Sequence, residues 1–255
     1  MNGIPDAPVI FSEINTTVVL AVFAVLACAS VIYAIVLTIR ESDPLPIAAC
    51  IGALICALNE PIYDILGKIV YASNNPMAFT AFGREVPWFL VIGYVPWVGL
   101  LPVIIARMMA DGVPRKKLHI IALVSFLSVV CVESLGTYFS AWAYYGDVPL
   151  KYLVVAPQMA PVPIVGGFLL YAISHKYKGW RRALSAAVIS TLTLPMVFAS
   201  ASWPLYLGLY SDISPLVRWI AGIAMLGFTV AIVGATTGLA QRLYSGEKHG
   251  VSSNS

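Results

Sequence analysis

Charge is scarce in this sequence: Asp, Glu, Lys and Arg make up 11% of the 255 residues, where a water-soluble domain carries about 25%. With 60% hydrophobic residues and a mean hydropathy of +0.87, a soluble globular domain is excluded, and the solvent for most of the chain is a bilayer. Histidine is scarcer still. His119, His175 and His249 fall at helix ends or in the C-terminal tail, so no pair can hold a haem or a metal at mid-membrane. The cysteines, Cys28, Cys50, Cys56 and Cys131, all lie within apolar runs, which excludes a disulfide framework in the loops. A Gly-rich phosphate loop, a metal-ligand cluster and a Cys nucleophile with a nearby His are all missing, so no nucleotide, haem or metal cofactor is expected. The net charge of +3 does not indicate a nucleic-acid partner, because the basic residues are divided among loops rather than gathered on one face. Nothing before residue 16 is basic, so a signal-peptide n-region is lacking there and the first apolar run is expected to stay as an anchor.

What the sequence has instead is long apolar runs, centred at 16–39, 46–71, 87–108, 119–142, 152–174, 183–208 and 216–240. Each is close to the 20 or so residues that cross a hydrocarbon core. Barrel strands would alternate every second residue and stop after about ten. The expected fold is therefore all-α, a polytopic seven-transmembrane-helix bundle over residues 1–244 with a disordered tail at 245–255. Arg40, Arg107, Arg115, Lys116, Lys117, Lys176, Lys178, Arg181, Arg182, Arg242 and Lys248 fall on one side, and only Lys68, Arg84, Lys151 and Arg218 on the other. By the positive-inside rule the N-terminus is outside and the C-terminus cytoplasmic. Trp88, Trp142, Tyr144, Tyr145, Tyr152 and Tyr210 supply an aromatic belt at the outer ends. Asn15-Thr16-Thr17 matches a glycosylation sequon by chance, since it abuts the first span.

The informative residues are acids that no loop accommodates, because a charge at mid-bilayer costs at least about 2.5 kcal/mol. They are Glu60, Asp64 and Glu133. In the second helix Asn59, Glu60, Tyr63 and Asp64 share an arc of about 140°, and Pro61 is expected to open a kink that leaves the carbonyl of Ala57 unpaired. Carboxyls at i and i+4 do not both ionise cheaply in a low dielectric. Lys68, four residues beyond Asp64, is expected to hold Asp64 ionised, which makes Glu60 the better neutral acid. The plainer alternative is an Asp64–Lys68 ion pair with Glu60 as a packing hydrogen bond. In the fourth helix Glu133, Thr137, Ser140 and Tyr144 form a stripe within about 60° that climbs from mid-membrane to the outer surface. Arg84, Glu85, Trp88, Asp147, Lys151, Gln158 and Asp212, with the stripe Trp203, Tyr206 and Tyr210, also map to the outer half. Together they suggest a pocket shared by Glu60 and Glu133 and open toward the outer leaflet or the outer water.

Two seven-helix families are excluded by what they require. A microbial rhodopsin needs a lysine in the last helix, and residues 216–240 contain none; a G-protein-coupled receptor needs an Asp/Glu-Arg pair where this chain reads Ile-Ala-Arg-Met-Met-Ala-Asp. An enzyme reading makes Glu60, Asp64 and Glu133 an acid–base set acting on a lipophilic molecule. Asn59, Tyr63, Arg84, Trp88, Thr137, Tyr144, Gln158, Trp203, Tyr206 and Asp212 then contribute to substrate binding. A transport reading uses the same acids as a proton relay, but would favour an internal repeat, which the motifs do not form.

The runs Asn59-Glu60-Pro61-Ile62-Tyr63-Asp64, Phe82-Gly83-Arg84-Glu85-Val86-Pro87-Trp88 with Gly93-Tyr94, and Glu133 followed by Tyr144-Tyr145-Gly146-Asp147-Val148-Pro149-Leu150 resemble the AveC-like spirocyclase family of small bacterial membrane proteins. The likeness runs from the second helix to the fifth. It implies spiroketal-type cyclisation and dehydration, acid–base chemistry on a lipophilic polyol or ketone, in a bacterial cytoplasmic membrane, with Glu60, Asp64, Arg84 and Glu133 as the positions carried over. Size, span number and paired acids are also similar to membrane-integral terpene cyclases, in which Glu60 with Asp212 would start the cascade.

Overall fold

The computed structural model describes residues 6–174 and 176–252. His175, the side chain of His249 and the tail residues 253–255 lie outside the described residues. Among the described residues, seven helical spans are long and apolar enough to cross a membrane, and the chain is an integral membrane protein. The first is α1 (Thr16–Glu41), capped by Asn15, whose side chain accepts from the Thr17 N–H at 2.9 Å. That cap gives the apparent sequon a structural purpose.

The second span is broken into α2 (Leu45–Cys56), a 3-10 turn (Ala57–Asn59) and α3 (Glu60–Gly67). The third comprises α4 (Trp88–Tyr94), a π-helical turn at Val95–Leu100 that begins beside Pro96, and α5 (Leu101–Ala110). α6 (Arg115–Tyr138) is the fourth. The fifth starts with a 3-10 turn (Lys151–Leu153), then α7 (Ala156–Met159) and α8 (Pro161–Ser174). α9 (Gly179–Tyr210) and α10 (Pro215–Ser252) complete the bundle. The second, third and fifth spans are more than half buried, and the other four a third or less. The interrupted helices are therefore central, and the continuous ones form a shell whose apolar faces, such as Val25, Ile32, Leu123, Leu127, Ile223 and Val230, are left to lipid.

The structure revises the expected boundaries in three places. The second span stops at Gly67, where Lys68 takes a left-handed conformation (φ 53°), and the fourth stops at Tyr138. The residues read as their last turns form strands instead: β1 (Ile69–Tyr71) pairs antiparallel with β4 (Trp142–Tyr144), Tyr71 opposite Trp142 and Ile69 opposite Tyr144. Aromatic and β-branched residues suit a strand as well as an apolar helix end, so periodicity alone does not separate the two. Between them β2 (Met77–Ala81) and β3 (Arg84–Pro87) make a hairpin, turned at Phe82 and Gly83, both with positive φ. At the C-terminus α10 continues helically past residue 245 to Ser252, since no proline stops it.

At the end of the bundle away from the strands, Arg182 holds Asp43 through two bonds of 2.7 and 2.8 Å, and Arg107 pairs with Glu41. α2 and α9 pack most closely at Gly52, where the Thr191 hydroxyl donates to the Gly52 carbonyl at 3.1 Å. A Cβ at Gly52 would collide with the backbone carbonyl of Ala187. Gly52→Leu should therefore lower thermal stability in detergent by at least about 1–3 kcal/mol. Gly227→Leu, where a Cβ meets nothing within 4 Å, should melt like the native chain; equal losses at both positions would contradict this packing.

Candidate active site

The break in the second span sets the first acid. Pro61 lacks an N–H, and the helix tightens ahead of it so that the Glu60 N–H bonds the carbonyl of Ala57 in a 3-10 turn. The Ala57 carbonyl is thus paired, contrary to the expectation of an orphan there. The carbonyl of Cys56 takes the Asn59 side-chain amide at 3.0 Å. Asn59 therefore closes the break rather than facing a ligand. The carboxylate that emerges, Glu60, is 5% exposed; its Oε1 accepts from the Tyr71 hydroxyl at 2.9 Å and its Oε2 from the Tyr94 hydroxyl.

Glu133 is held differently. Residues 133, 137, 140 and 144 do not form a helical stripe, because α6 ends at Tyr138 and the chain reverses through Ser140 (φ 54°). The Ala141 N–H returns to the Gly136 carbonyl at 2.8 Å and the Ser140 N–H to the Thr137 carbonyl at 3.1 Å, a Schellman-type stop. The reversal lays β4 back over the helix end, with the Trp142 ring against the bare Cα of Gly136. Trp142 Nε1 and the Tyr144 hydroxyl then both donate to Glu133 Oε2, at 2.8 and 2.6 Å. Glu133 lies about 8 Å below the end of its helix, nearer the strand-bearing surface than mid-membrane.

Glu60 and Glu133 line one cavity of about 340 Å³, with Tyr71, Tyr94, Trp142 and Tyr144 between them and Phe23, Phe89, Trp97 and Val129 making its apolar walls. Gln158 of α7 also contributes. Leu26 of α1 and Val132 of α6 belong to the rim and are 51% and 43% exposed, so the cavity reaches the lipid-facing surface between the first and fourth spans. Of the polar residues expected in the outer half, Arg84 lines a different cavity, and Asp147, Lys151 and Asp212 line neither. Asp147 pairs with Arg218 at 2.9 Å, and Lys151 and Asp212 are exposed and outside the cavities.

Asp64 and Arg84 share a second, more polar cavity of about 330 Å³, with Thr80, Glu85 and Ser73 among its walls. Ile69 and Tyr71 line both cavities and separate them. Asp64 is 1% exposed; its carboxyl oxygens make no well-aligned hydrogen bond to a described residue, and the Glu60 carboxyl stands close enough to interact with it. The cationic charge acting on it is Arg84, whose Nη2 donates to the Tyr145 hydroxyl at 2.8 Å. Lys68 does not pair with Asp64: its left-handed backbone carries the ammonium over the Tyr210 ring, 5.2 Å from the centroid. There burial and the nearby Arg218 pull its pKa down, against the pull of Asp147.

The other expected residues are dispersed. Tyr63 packs edge-on against Phe198 (4.8 Å), and Tyr206 tilts against the same ring (5.1 Å), so both belong to the core between α3 and α9. Trp203 is exposed beside Phe228, and Trp88 is exposed at the start of α4. Thr137 sits one turn from Glu133 outside the cavity wall. Tyr71, Tyr94, Trp97 and Trp142 were missed as site residues. Tyr71 and Trp142 were read as helix ends and belt, and only their strand pairing brings them to the acids.

Tyr71 and Tyr144 lie outside the helices, and both phenols are held well above the ordinary range. Burial is the main cause, followed by the negative charge of Glu60 for Tyr71 and of Glu133 for Tyr144. They stay neutral donors at any working pH. With the folded pKa raised, their contribution to stability is complete below about pH 10, the unfolded value, and is lost as pH rises beyond it. Difference absorbance of phenolate should therefore show no loss of amplitude near pH 10 in Tyr71→Phe or Tyr144→Phe. A reduced step there would mean that the missing phenol was titrating freely. The chain matches no protein-family model, no curated protein and no solved structure.

Proposed function

We propose that this protein is a cofactor-independent cyclase or dehydratase embedded in the membrane, acting on a lipophilic polyketide- or terpenoid-like molecule. The observation that carries the reading is that two carboxyls from different spans face one apolar cavity reaching the lipid surface. A substrate dissolved in the bilayer would enter between α1 and α6. Membrane lipids and that small molecule are its partners.

The hydrogen bonds favour different roles for the two acids. Both partners of Glu60 are phenols, one on each oxygen, and a phenol accepts as readily as it donates, so a protonated Glu60 can bond one phenol oxygen while that phenol turns its own hydrogen toward the cavity. Trp142 Nε1–H is a donor only. It requires an acceptor, and both bonds to Glu133 fall on Oε2, leaving Oε1 to receive a proton. Glu60 is then the general acid toward a hydroxyl, ketal oxygen or alkene, and Glu133 the base that ends the reaction. The faces of Phe89, Trp97 and Trp142 stabilise the intermediate cation away from water.

This chemistry agrees with the resemblance to AveC-like spirocyclases, with Arg84 acting through Asp64 rather than on the substrate. The terpene-cyclase pairing of Glu60 with Asp212 has less support, since Asp212 is exposed on the loop after α9. The resemblance implies a bacterial cytoplasmic membrane, and the distribution of Lys and Arg favours an orientation with the strands and N-terminus outside and the C-terminus in the cytoplasm.

Glu60→Gln keeps the shape but removes the transferable proton. Purified protein given a lipophilic hydroxy-ketone, with products resolved by mass and retention time, should lose roughly 10²–10⁴ in turnover on this change while still binding the compound. Full activity in the variant would reduce Glu60 to a packing group. Unaltered compound recovered across a vesicle, with no new product, would replace the cyclase reading by transport.

A further inference from the structure

We propose that the polar cavity at the strand-bearing end is a proton inlet, and that Asp64 passes its proton through to Glu60. The proposal rests on Glu60 being the acid, and it addresses what that role leaves unsolved. After one turnover Glu60 has lost a proton and Glu133 has gained one, so the pair must be reset. Moving an ion through the aromatic cavity would place charge in a hydrocarbon environment. Glu133, about 8 Å from the end of its helix, passes its proton on toward the strand-bearing surface, whereas Glu60, hydrogen-bonded by Tyr71 and Tyr94, needs a supply from its other side.

The fold provides one. Asp64 follows Glu60 by one turn on the same face of α3, with their Cβ atoms about 6 Å apart. Its two carboxyl oxygens are buried and make no well-aligned hydrogen bond to a described residue, at the wall of a cavity of about 330 Å³. A buried, unsatisfied carboxyl costs several kcal/mol unless water reaches it, and a packing role offers no return for that cost. Polar walls from Ser73, Thr80 and Glu85 and the field of Arg84 make this cavity suited to water, in contrast to its apolar neighbour. Among the described residues, the charged and titratable groups that interact with Asp64 are Glu60 on its own helix, Arg84 from β3, Tyr71 from β1, Tyr144 from β4 and Tyr145 just after it. In the step itself the O–H bond of Asp64 breaks as one forms on the Glu60 carboxylate. Asp64, left anionic near Arg84, regains a proton from cavity water, which is replenished from bulk.

Infrared spectroscopy of the full chain in phosphatidylcholine nanodiscs tests this without a substrate. The carboxylic-acid stretch that disappears in Glu60→Gln reports the proton on Glu60, and its shift on transfer to D₂O reports how fast that proton is replaced. Asp64→Asn should slow the shift about tenfold or more, whereas Tyr71→Phe should leave it fast. A variant that keeps Asp64 guards against misfolding: Thr80→Cys, with Cys28→Ser and Cys131→Ser, should exchange fast until a bulky charged thiosulfonate is attached from the water, and slowly afterwards. Unchanged exchange in Asp64→Asn and in the labelled protein, or slowing by Tyr71→Phe alone, overturns the inlet while leaving Glu60 as the acid. Absence of any Glu60-dependent acid band overturns the general-acid reading itself, and the inlet with it.

Discussion

Two carboxyl groups in an apolar cavity persist only if donors reach them, and here three of the four donors hang from one short ribbon. Tyr71 on β1 bonds Glu60, while Trp142 and Tyr144 on β4 bond Glu133. The register that sets Tyr71 opposite Trp142 therefore ties the second span to the fourth through their acids. Each hydrogen bond to a charged group is worth about 1.5–3 kcal/mol, comparable to the insertion penalty of the carboxyl it serves. Without the ribbon neither acid could remain at this depth. The ribbon in turn depends on two helices stopping early, at Gly67 and Tyr138.

Those stops share one device. Lys68 and Ser140 both adopt positive φ without being glycine, a strain of about 1–2 kcal/mol each. Gly136 is a glycine with no such dihedral. It is small because the Trp142 ring occupies the space a Cβ would fill. The indole thus stands upright over the end of α6, and its N–H reaches Glu133 instead of lipid. In the second span the break is internal: Pro61 forces a 3-10 turn, Asn59 repairs it, and Glu60 is turned toward Tyr94 of the third span.

The seven spans and the anomaly of Glu60, Asp64 and Glu133 were legible in the sequence because hydropathy and the cost of buried charge are local properties. The partners of those acids were not. Tyr71 and Trp142 continue the apolar runs of their helices, and only a left-handed residue that nothing in the composition announces converts each into a strand. Lys68 at i+4 from Asp64 is the spacing of a helical ion pair; it fails because the helix ends between them. Tyr94 and Trp97 were hidden for a related reason. Tyr94 precedes and Trp97 lies within the π-helical turn at Val95–Leu100, which shifts the helical phase so that both rings enter the same cavity.

On the proposed mechanism, the two cavities divide the labour of a buried acid in a way one cavity could not. An apolar chamber strengthens a proton transfer by excluding water, but the same exclusion starves the acid of its next proton. Here Tyr71 and Ile69 form a wall one residue thick, with hydrocarbon-like space on one side and a polar chamber on the other. The neutral Tyr71 phenol can seal the wall against water and still hydrogen-bond Glu60. Asp64, one helical turn from Glu60, bypasses it along the helix. Two carboxyls at i and i+4 carry a mutual repulsion that would only weaken a structural helix. In a proton relay that repulsion helps, because it favours one shared proton that moves between them over two fixed charges.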